Sequence, residues 1–298
     1  MEEVFEEQLP GETLDHFASR KVTPTRWEKN NFRSKTDDIV RCLQQISHPY
    51  SVKKVIKSGS VGKGTTIRDI SDIDLIAFFN DLTCIEDLID ERKVLLDSIQ
   101  GALRRSLGLI PKKRDKYILS YMWDDFKVDI APAFDVLSEY ESPFEVYQMM
   151  EEYPKKVAAL QFSASLAPLQ VSFVKPVPEQ VKKVIRLLKV WKDENDLGIR
   201  SYSIEILTIY IWSKKCEDNP GTDHLFREVM RQLATCGTLC VALDDNYKSS
   251  RYTRYMRQPY ILDPANPYMN TLHGVSIGTV SECAKRTLRS LNLRLQEW

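Results

Sequence analysis

The chain has 298 residues, 43% of them hydrophobic and 28% charged, with 42 Lys+Arg against 42 Asp+Glu. That is enough apolar material for a sizeable core in one large domain or two lobes, and it excludes collagen-like and mostly disordered classes. Its longest uninterrupted apolar run, Leu75-Ile76-Ala77-Phe78-Phe79, is far too short to cross a bilayer.

The N-terminus, MEEVFEEQL, has neither the basic start nor the apolar stretch of a secretory signal. Residues 2–19 carry six acids (Glu2, Glu3, Glu6, Glu7, Glu12, Asp15) and no Lys or Arg. Residues 20–35 reverse this, with Arg20, Lys21, Arg26, Lys29, Arg33 and Lys35 against Glu28 alone. Such a stripe on a neutral body can bind polyanions, although on charge alone a solvated helix face is the simpler reading.

An apolar stripe of Ile39, Val40, Leu43 and Ile46 predicts a helix over 36–46. Ser51 to Lys57 alternates weakly and runs into a glycine-punctuated turn, Ser58 to Gly64, and Ile70 to Phe79 reads as a strand. A charged helix is expected from about Ile85 to Leu107, then strands near 117–123 and 126–131. The prolines at 168, 176 and 178 mark a junction, with Pro178 placed to start a helix. Beyond it, apolar faces at Val181–Trp191, Ile204–Trp212, Phe226–Leu233 and Cys283–Leu295 predict a mainly helical lobe.

The chemistry-bearing stretch is Gly59-Ser60-Val61-Gly62-Lys63-Gly64-Thr65-Thr66 followed by Ser71-Asp72-Ile73-Asp74-Leu75. Strand periodicity of two puts Asp72 and Asp74 on one face. Carboxylates held that close repel unless a cation lies between them, and hard oxygen ligands suit Mg2+, with Mn2+ as the substitute. The glycines let backbone N–H groups approach a phosphate closely. A third acid, Asp129, sits between Val128 and Ile130 in a strand otherwise suited to burial, where a lone carboxylate is costly. Three acids can hold two ions, one polarising an attacking hydroxyl and the other stabilising the leaving pyrophosphate. The glycine turn is no Walker P-loop, because Gly62-Lys63 is followed by Gly64. Cys236 and Cys240 form the one close thiol pair, without a ribbon of further ligands, so no zinc is expected. Scattered thiols suit a cytoplasmic protein without disulfides.

These residues resemble the polymerase-beta-like nucleotidyltransferases, and the string GSVGKGTTIRDISDIDL narrows the resemblance to the oligoadenylate synthetase and cyclic GMP-AMP synthase group. LDHF (14–17), VDIAPAFDVL (128–137), IRLLKVW (185–191) and ILDPANP (261–267) extend it over nearly the whole chain. The resemblance implies an α+β, bilobal fold: a mixed-sheet catalytic lobe with a long N-terminal helix over 1–160, a helical lobe over 161–298, and an active-site cleft between them. It implies that Asp72, Asp74 and Asp129 bind two Mg2+ ions, that Gly59, Ser60 and Lys63 meet the nucleotide phosphates, and that Arg186 and Lys189 bind nucleotide from the second lobe. Their i, i+3 spacing puts that pair on one helix face, opposite Val184, Leu188 and Trp191.

Where oligoadenylate synthetases carry Gln-Tyr, this chain has Ser201-Tyr202, which resembles the cyclic GMP-AMP synthase pattern of a phosphate-facing Ser and a base-stacking Tyr. ILDPANP points instead to the linear oligoadenylate enzymes. The implied activity is therefore synthesis of a 2'-5'-linked messenger from ATP with release of pyrophosphate. The alternatives are a cyclic dinucleotide synthase using ATP, GTP or other nucleotides, a catalytically inactive RNA-binding protein and, more distantly, an RNA tailing enzyme. Double-stranded RNA is the implied activator, read through phosphates and 2'-hydroxyls by Arg20, Lys21, Arg26, Lys29, Arg33, Lys53, Lys54, Lys57, Lys175 and Lys182, with Lys183. Val171 and Glu179 stand where further contacts are expected in the family, and Lys248, Arg251, Arg254 and Arg257 match none of its positions. A cytoplasmic monomer, or an RNA-dependent oligomer, is expected.

Overall fold

A computed structural model of the chain describes residues 4–69, 72–215, 221–254 and 256–295. Glu2, Glu3, Ile70 and Ser71, which figured in the expected acidic segment and strand, lie outside the described residues. The chain folds as two compact units, Pro24–Lys175 and a second made of Met1–Thr23 with Pro176–Trp298. The division therefore differs from 1–160 and 161–298 at both ends. Residues 4–23 join the C-terminal unit because their apolar side chains pack there: Phe5 stacks on Phe17 with ring centroids 4.7 Å apart and meets Phe226 at 6.0 Å. In this segment a short helix, α1 (Leu14–Phe17), runs into a π-helical turn at Ala18–Val22.

The unit Pro24–Lys175 opens with α2 (Arg26–Gln44), ten residues ahead of the expected start. The reason is local. Thr25 and Glu28 form a capping box, and Phe32 and Thr36 extend the buried stripe of Ile39, Cys42 and Leu43 toward the N-terminus. The chain continues through β1 (Val52–Lys57), a single helical turn α3 (Gly59–Lys63), β2 (Asp72–Phe79) and α4 (Ile85–Leu107). Next come β3 (Lys113–Arg114), β4 (Leu119–Trp123) and β5 (Phe126–Ala133). Three short helices, α5 (Pro143–Met150), α6 (Lys155–Gln161) and α7 (Ala167–Val174), complete the unit.

Its sheet runs β1-β2-β5-β4-β3, with β2 and β5 parallel and the other pairs antiparallel. Beyond its first residues β2 is buried on both faces, which explains the unbroken run Leu75–Phe79. Ile76 and Phe78 meet Ala131, Ala133 and Ala167 in the core.

The other unit contains α8 (Glu179–Glu194), α9 (Ser201–Lys215) and α10 (Thr222–Ala234). After β6 (Cys240–Val241) and a short α11 (Ser249–Thr253) come β7 (Tyr260–Asp263), β8 (Asn266–Asn270) and α12 (Ile277–Leu295). This mainly helical unit also carries a three-stranded sheet, β6-β7-β8, which the sequence pattern did not indicate. Its strands are too short for an alternating pattern to register. ILDPANP is the hairpin of that sheet. No helix among the described residues is long and apolar enough to cross a membrane.

Candidate active site

Parallel pairing of β2 with β5 sets Asp74 beside Asp129 and Asp72 beside Lys127. Two residues along a strand return to the same face, so Asp72, Asp74 and Asp129 project from one side of the sheet. Burial pushes the Asp74 carboxyl up to about 6, with the charges of Asp129 and then Asp72 adding to it, against the opposing pull of Lys127 and Lys63. Among the described residues no three metal-ligating side chains close into one cluster. Lys127 Nζ lies 2.7 Å from Asp129 Oδ2, an ammonium held where three like charges meet.

The fit to a divalent ion rests on what remains. Asp129 Oδ1 is buried with no hydrogen-bond partner, which is a costly state for a carboxylate oxygen that a cation would relieve. The donors are all hard oxygens, as Mg2+ and Mn2+ require. A metal between Asp72, Asp74 and Asp129 would polarise a hydroxyl nucleophile and neutralise phosphate charge.

The turn before β2 is built against these acids. Gly59 has φ +52°, and a Cβ on it would come within 2.6 Å of Asp74 Cγ and closer still to the carboxylate oxygen. Ser58 N–H donates to the Asp74 carbonyl at 2.8 Å, tying the turn to the strand. A Cβ on Gly62 would lie 2.8 Å from the Lys57 carbonyl carbon, so the helical turn also needs glycine there. Gly64, φ 76°, ends it. Ser60 is half-buried and Lys63 buried beside Asp74. The structure therefore brings together Gly59, Ser60, Lys63, Asp72, Asp74 and Asp129. The sequence reading missed Lys127, although Lys127-Val128-Asp129 places it on the carboxylate face by the same period of two.

The remaining nucleotide candidates gather in the other unit, around the junction of α8 and α9. Arg186 and Lys189 are buried, 2% and 4% exposed, because α8 is packed almost all round from Val181 to Trp191. Lys189 Nζ pairs with Glu205 Oε1 at 2.5 Å, both side chains buried, and Arg186 Nη1 with Glu179 Oε1 at 2.6 Å. Buried cations need anionic partners, and a nucleotide phosphate is another such partner. Ser201 opens α9 and Tyr202, half-buried, donates its hydroxyl to Asp263 Oδ1 at 2.9 Å. Glu205 and Asp263 carried no local signal, since each acquires its partner only across the fold.

Comparison with known proteins identifies the family. Residues 140–296 match the model of 2'-5'-oligoadenylate synthetase 1, domain 2, C-terminus, and residues 10–150 that of the Second Messenger Oligonucleotide or Dinucleotide Synthetase domain. The chain belongs to the oligoadenylate synthetase family of nucleotidyltransferases. It is 30% identical to 2'-5'-oligoadenylate synthase 1A of Mus musculus over 89% of this chain and 83% of that protein. It is 28% identical to 2'-5'-oligoadenylate synthase 2 of Rattus norvegicus over 87% of this chain, but spans only 41% of that longer protein. Two solved structures share the fold: E. coli CdnC with ATP, 20% identical with a TM-score of 0.65 over 92% of this chain and 88% of that one, and the Cid1 poly(U) polymerase, 16% identical with 0.63 over 94% and 93%.

For an oligoadenylate synthetase-like chain, the basic residues expected to meet RNA fall into distinct groups. Arg26, Lys29 and Arg33 share one exposed face of α2, beside the exposed Trp27. Lys57 pairs with Asp37 of the same helix at 3.0 Å, and Lys175 is exposed after α7. Lys53 and Lys54 both turn to the buried Asp135, at 3.1 and 2.7 Å. Arg20 and Lys21 belong to the other unit and are engaged by the acidic segment before them, Arg20 with Glu12 at 2.6 Å and Lys21 with Glu7. The stripe over 20–35 is therefore split between two bodies, and part of it is neutralised at its origin. Lys182 is buried, which removes it from any surface contact, and Lys183 is held by Asp15 at 2.8 Å.

Proposed function

We propose that this nucleotidyltransferase joins ATP through 2'-5' phosphodiester bonds, releases pyrophosphate, and is switched on by double-stranded RNA in the cytoplasm as part of innate antiviral signalling. The observation that carries the reading is Asp74 beside Asp129 on adjacent parallel strands, under a turn whose Gly59 leaves no room for a side chain. In this reading Asp72, Asp74 and Asp129 hold Mg2+ and Ser60 and Lys63 receive the donor triphosphate, and within the other unit Arg186, Lys189, Ser201 and Tyr202 are nucleotide-binding residues. Most of the rate enhancement then comes from positioning and charge stabilisation. RNA docks through Arg26, Lys29 and Arg33 with Lys57 and Lys175, in a monomer or an RNA-dependent oligomer.

Ser201-Tyr202, in place of Gln-Tyr, favours a second reading in which the same chemistry closes a cyclic dinucleotide. One experiment separates the readings. The protein is incubated with Mg2+, all four nucleoside triphosphates and double-stranded RNA, and the products are chromatographed before and after phosphatase. Phosphatase-sensitive ATP oligomers with 2'-5' linkages support the first reading, and a phosphatase-resistant product the second. Absence of both product and pyrophosphate leaves the inactive RNA-binding protein, and nucleotides added to the 3' end of the RNA indicate a tailing enzyme.

A further inference from the structure

ILDPANP is among the segments on which the family resemblance rests, yet none of its residues has a part in the chemistry above. In the fold it is the β7–β8 hairpin, and its Asp263 is 1% exposed. A carboxylate that deep is expensive unless it is hydrogen-bonded. Asp263 Oδ1 accepts the Ala265 N–H at 2.8 Å, closing the hairpin turn, and accepts the Tyr202 hydroxyl at 2.9 Å from the first turn of α9.

The hairpin that carries this carboxylate is itself held. The Asp263 carbonyl accepts the Tyr247 hydroxyl at 2.5 Å, and Tyr247, Tyr252 and Tyr268 stack edge to face at 5.3 and 5.5 Å. The next residue of α9, Ser203, bonds the Thr271 carbonyl at 3.0 Å beyond the far end of the hairpin. Two successive side chains therefore pin the start of α9 to the sheet. The pairing of β7 with β8 shifts register between Leu262 and Asp263.

We infer that Asp263 is the positioning residue for Tyr202: its buried carboxylate grips the phenol hydroxyl and so fixes the angle of the ring that stacks on the nucleobase. The inference rests on the reading of Tyr202 as a base platform. Burial, then the Asp263 charge, hold the phenol well above its ordinary pKa, so it stays a donor to the carboxylate at every working pH. An aromatic platform is tolerant of base identity, but its affinity depends on the ring being set at the right angle before the nucleotide arrives. A hydrogen bond to a charged acceptor is the stronger kind, which explains a buried Asp where an Asn would close the same turn. The chemical step lies elsewhere, so loosening the ring weakens nucleotide binding and leaves turnover of bound nucleotide alone.

The test is a double-mutant cycle on Tyr202→Phe and Asp263→Ala, read as KM and kcat for ATP with Mg2+ and double-stranded RNA and as the dissociation constant of a non-hydrolysable ATP analogue. Each single change is expected to raise KM and the dissociation constant about five- to tenfold with kcat unchanged. In the Tyr202→Phe background, which has no hydroxyl to hold, Asp263→Ala adds less than twofold. Full multiplication of the two effects, or a loss in kcat alone, overturns the inference. Should Asp263→Ala fail to fold, Asp263→Asn replaces it, with a first step of about threefold and the second step still deciding. A second readout is independent of nucleotide: the ring resonance of carbon-13-labelled tyrosine, assigned to Tyr202 by its loss in Tyr202→Phe, shifts in the Asp263 variant of the nucleotide-free protein. An unmoved resonance overturns the bond itself. A moved resonance in a protein that binds no nucleotide instead removes Tyr202 as a base platform, and the inference falls with it.

Discussion

Gly59→Ala tests the geometry of the carboxylate site without touching a carboxylate. The new Cβ would lie 2.6 Å from Asp74 Cγ and 2.9 Å from Asp74 Cβ, with φ at +52°. Carbon atoms in contact settle near 3.5 Å, so the Asp74 side chain or the turn must yield by about 1 Å. A displacement of that size at a reacting centre costs about 100-fold in rate. The positive φ adds about 1–2 kcal/mol of backbone strain for any residue with a Cβ. Gly108 separates the two effects, since it has φ +67° and a Cβ there would meet nothing within 4 Å. Both alanine variants are expected to lose about 1–2 kcal/mol in urea denaturation, while only Gly59→Ala loses Mg2+-dependent pyrophosphate release. Turnover of Gly59→Ala within threefold of wild type, or equal losses in both variants, would refute the claim that this glycine exists to admit Asp74.

Asp74→Asn is expected to abolish turnover while the fold survives, and retained synthesis with Mg2+ contradicts the assignment. Asp74 also dictates a pH dependence. Its folded carboxyl titrates at about 6, above the 3.8 of a free aspartate, so metal-free protein gains stability from this group at low pH and loses it as pH rises through about 6. Protons then compete with metal, and Mg2+ affinity by calorimetry is expected to fall as pH drops below about 6 in wild type, with no such limb in Asp74→Asn. At the N-terminus the sign reverses. The Arg20 guanidinium holds Glu12 at about 2, against an ordinary 4.5, so the docking of residues 5–17 that this pair supports is lost as pH falls between those values. Glu12→Gln should lack that acid limb, as followed by proteolytic nicking of the segment. Charge reversal at Arg26, Lys29 and Arg33 together is expected to remove RNA stimulation, lower the logarithmic salt slope of RNA binding by roughly two to three, and leave RNA-independent activity within about twofold. An unchanged slope places the RNA elsewhere.

Local pattern and pairwise chemistry were enough to read β2, α4, β5 and α8 and the candidate acids Asp72, Asp74 and Asp129, because strand and helix periods and the cost of burying a lone carboxylate are properties of neighbouring residues. The capping box Thr25–Glu28 and the buried Phe32 and Thr36, which carry α2 back to Arg26, are equally local. Other features exist only in three dimensions. Glu205 meets Lys189 from another helix, and Asp263 reaches Tyr202 across 61 positions of chain. The stripe over 20–35 looked continuous, but aromatic packing of Phe5 and Phe17 draws its first residues into a different body from α2. Packing all round α8 likewise leaves Arg186 and Lys189 buried, with Glu179 and Glu205 as their partners. Sequence specifies which side chains can bear charge or bind metal. Which of those charges meet is decided by packing, since an ion pair or a hydrogen bond depends on distances of a few ångströms that chain separation does not encode.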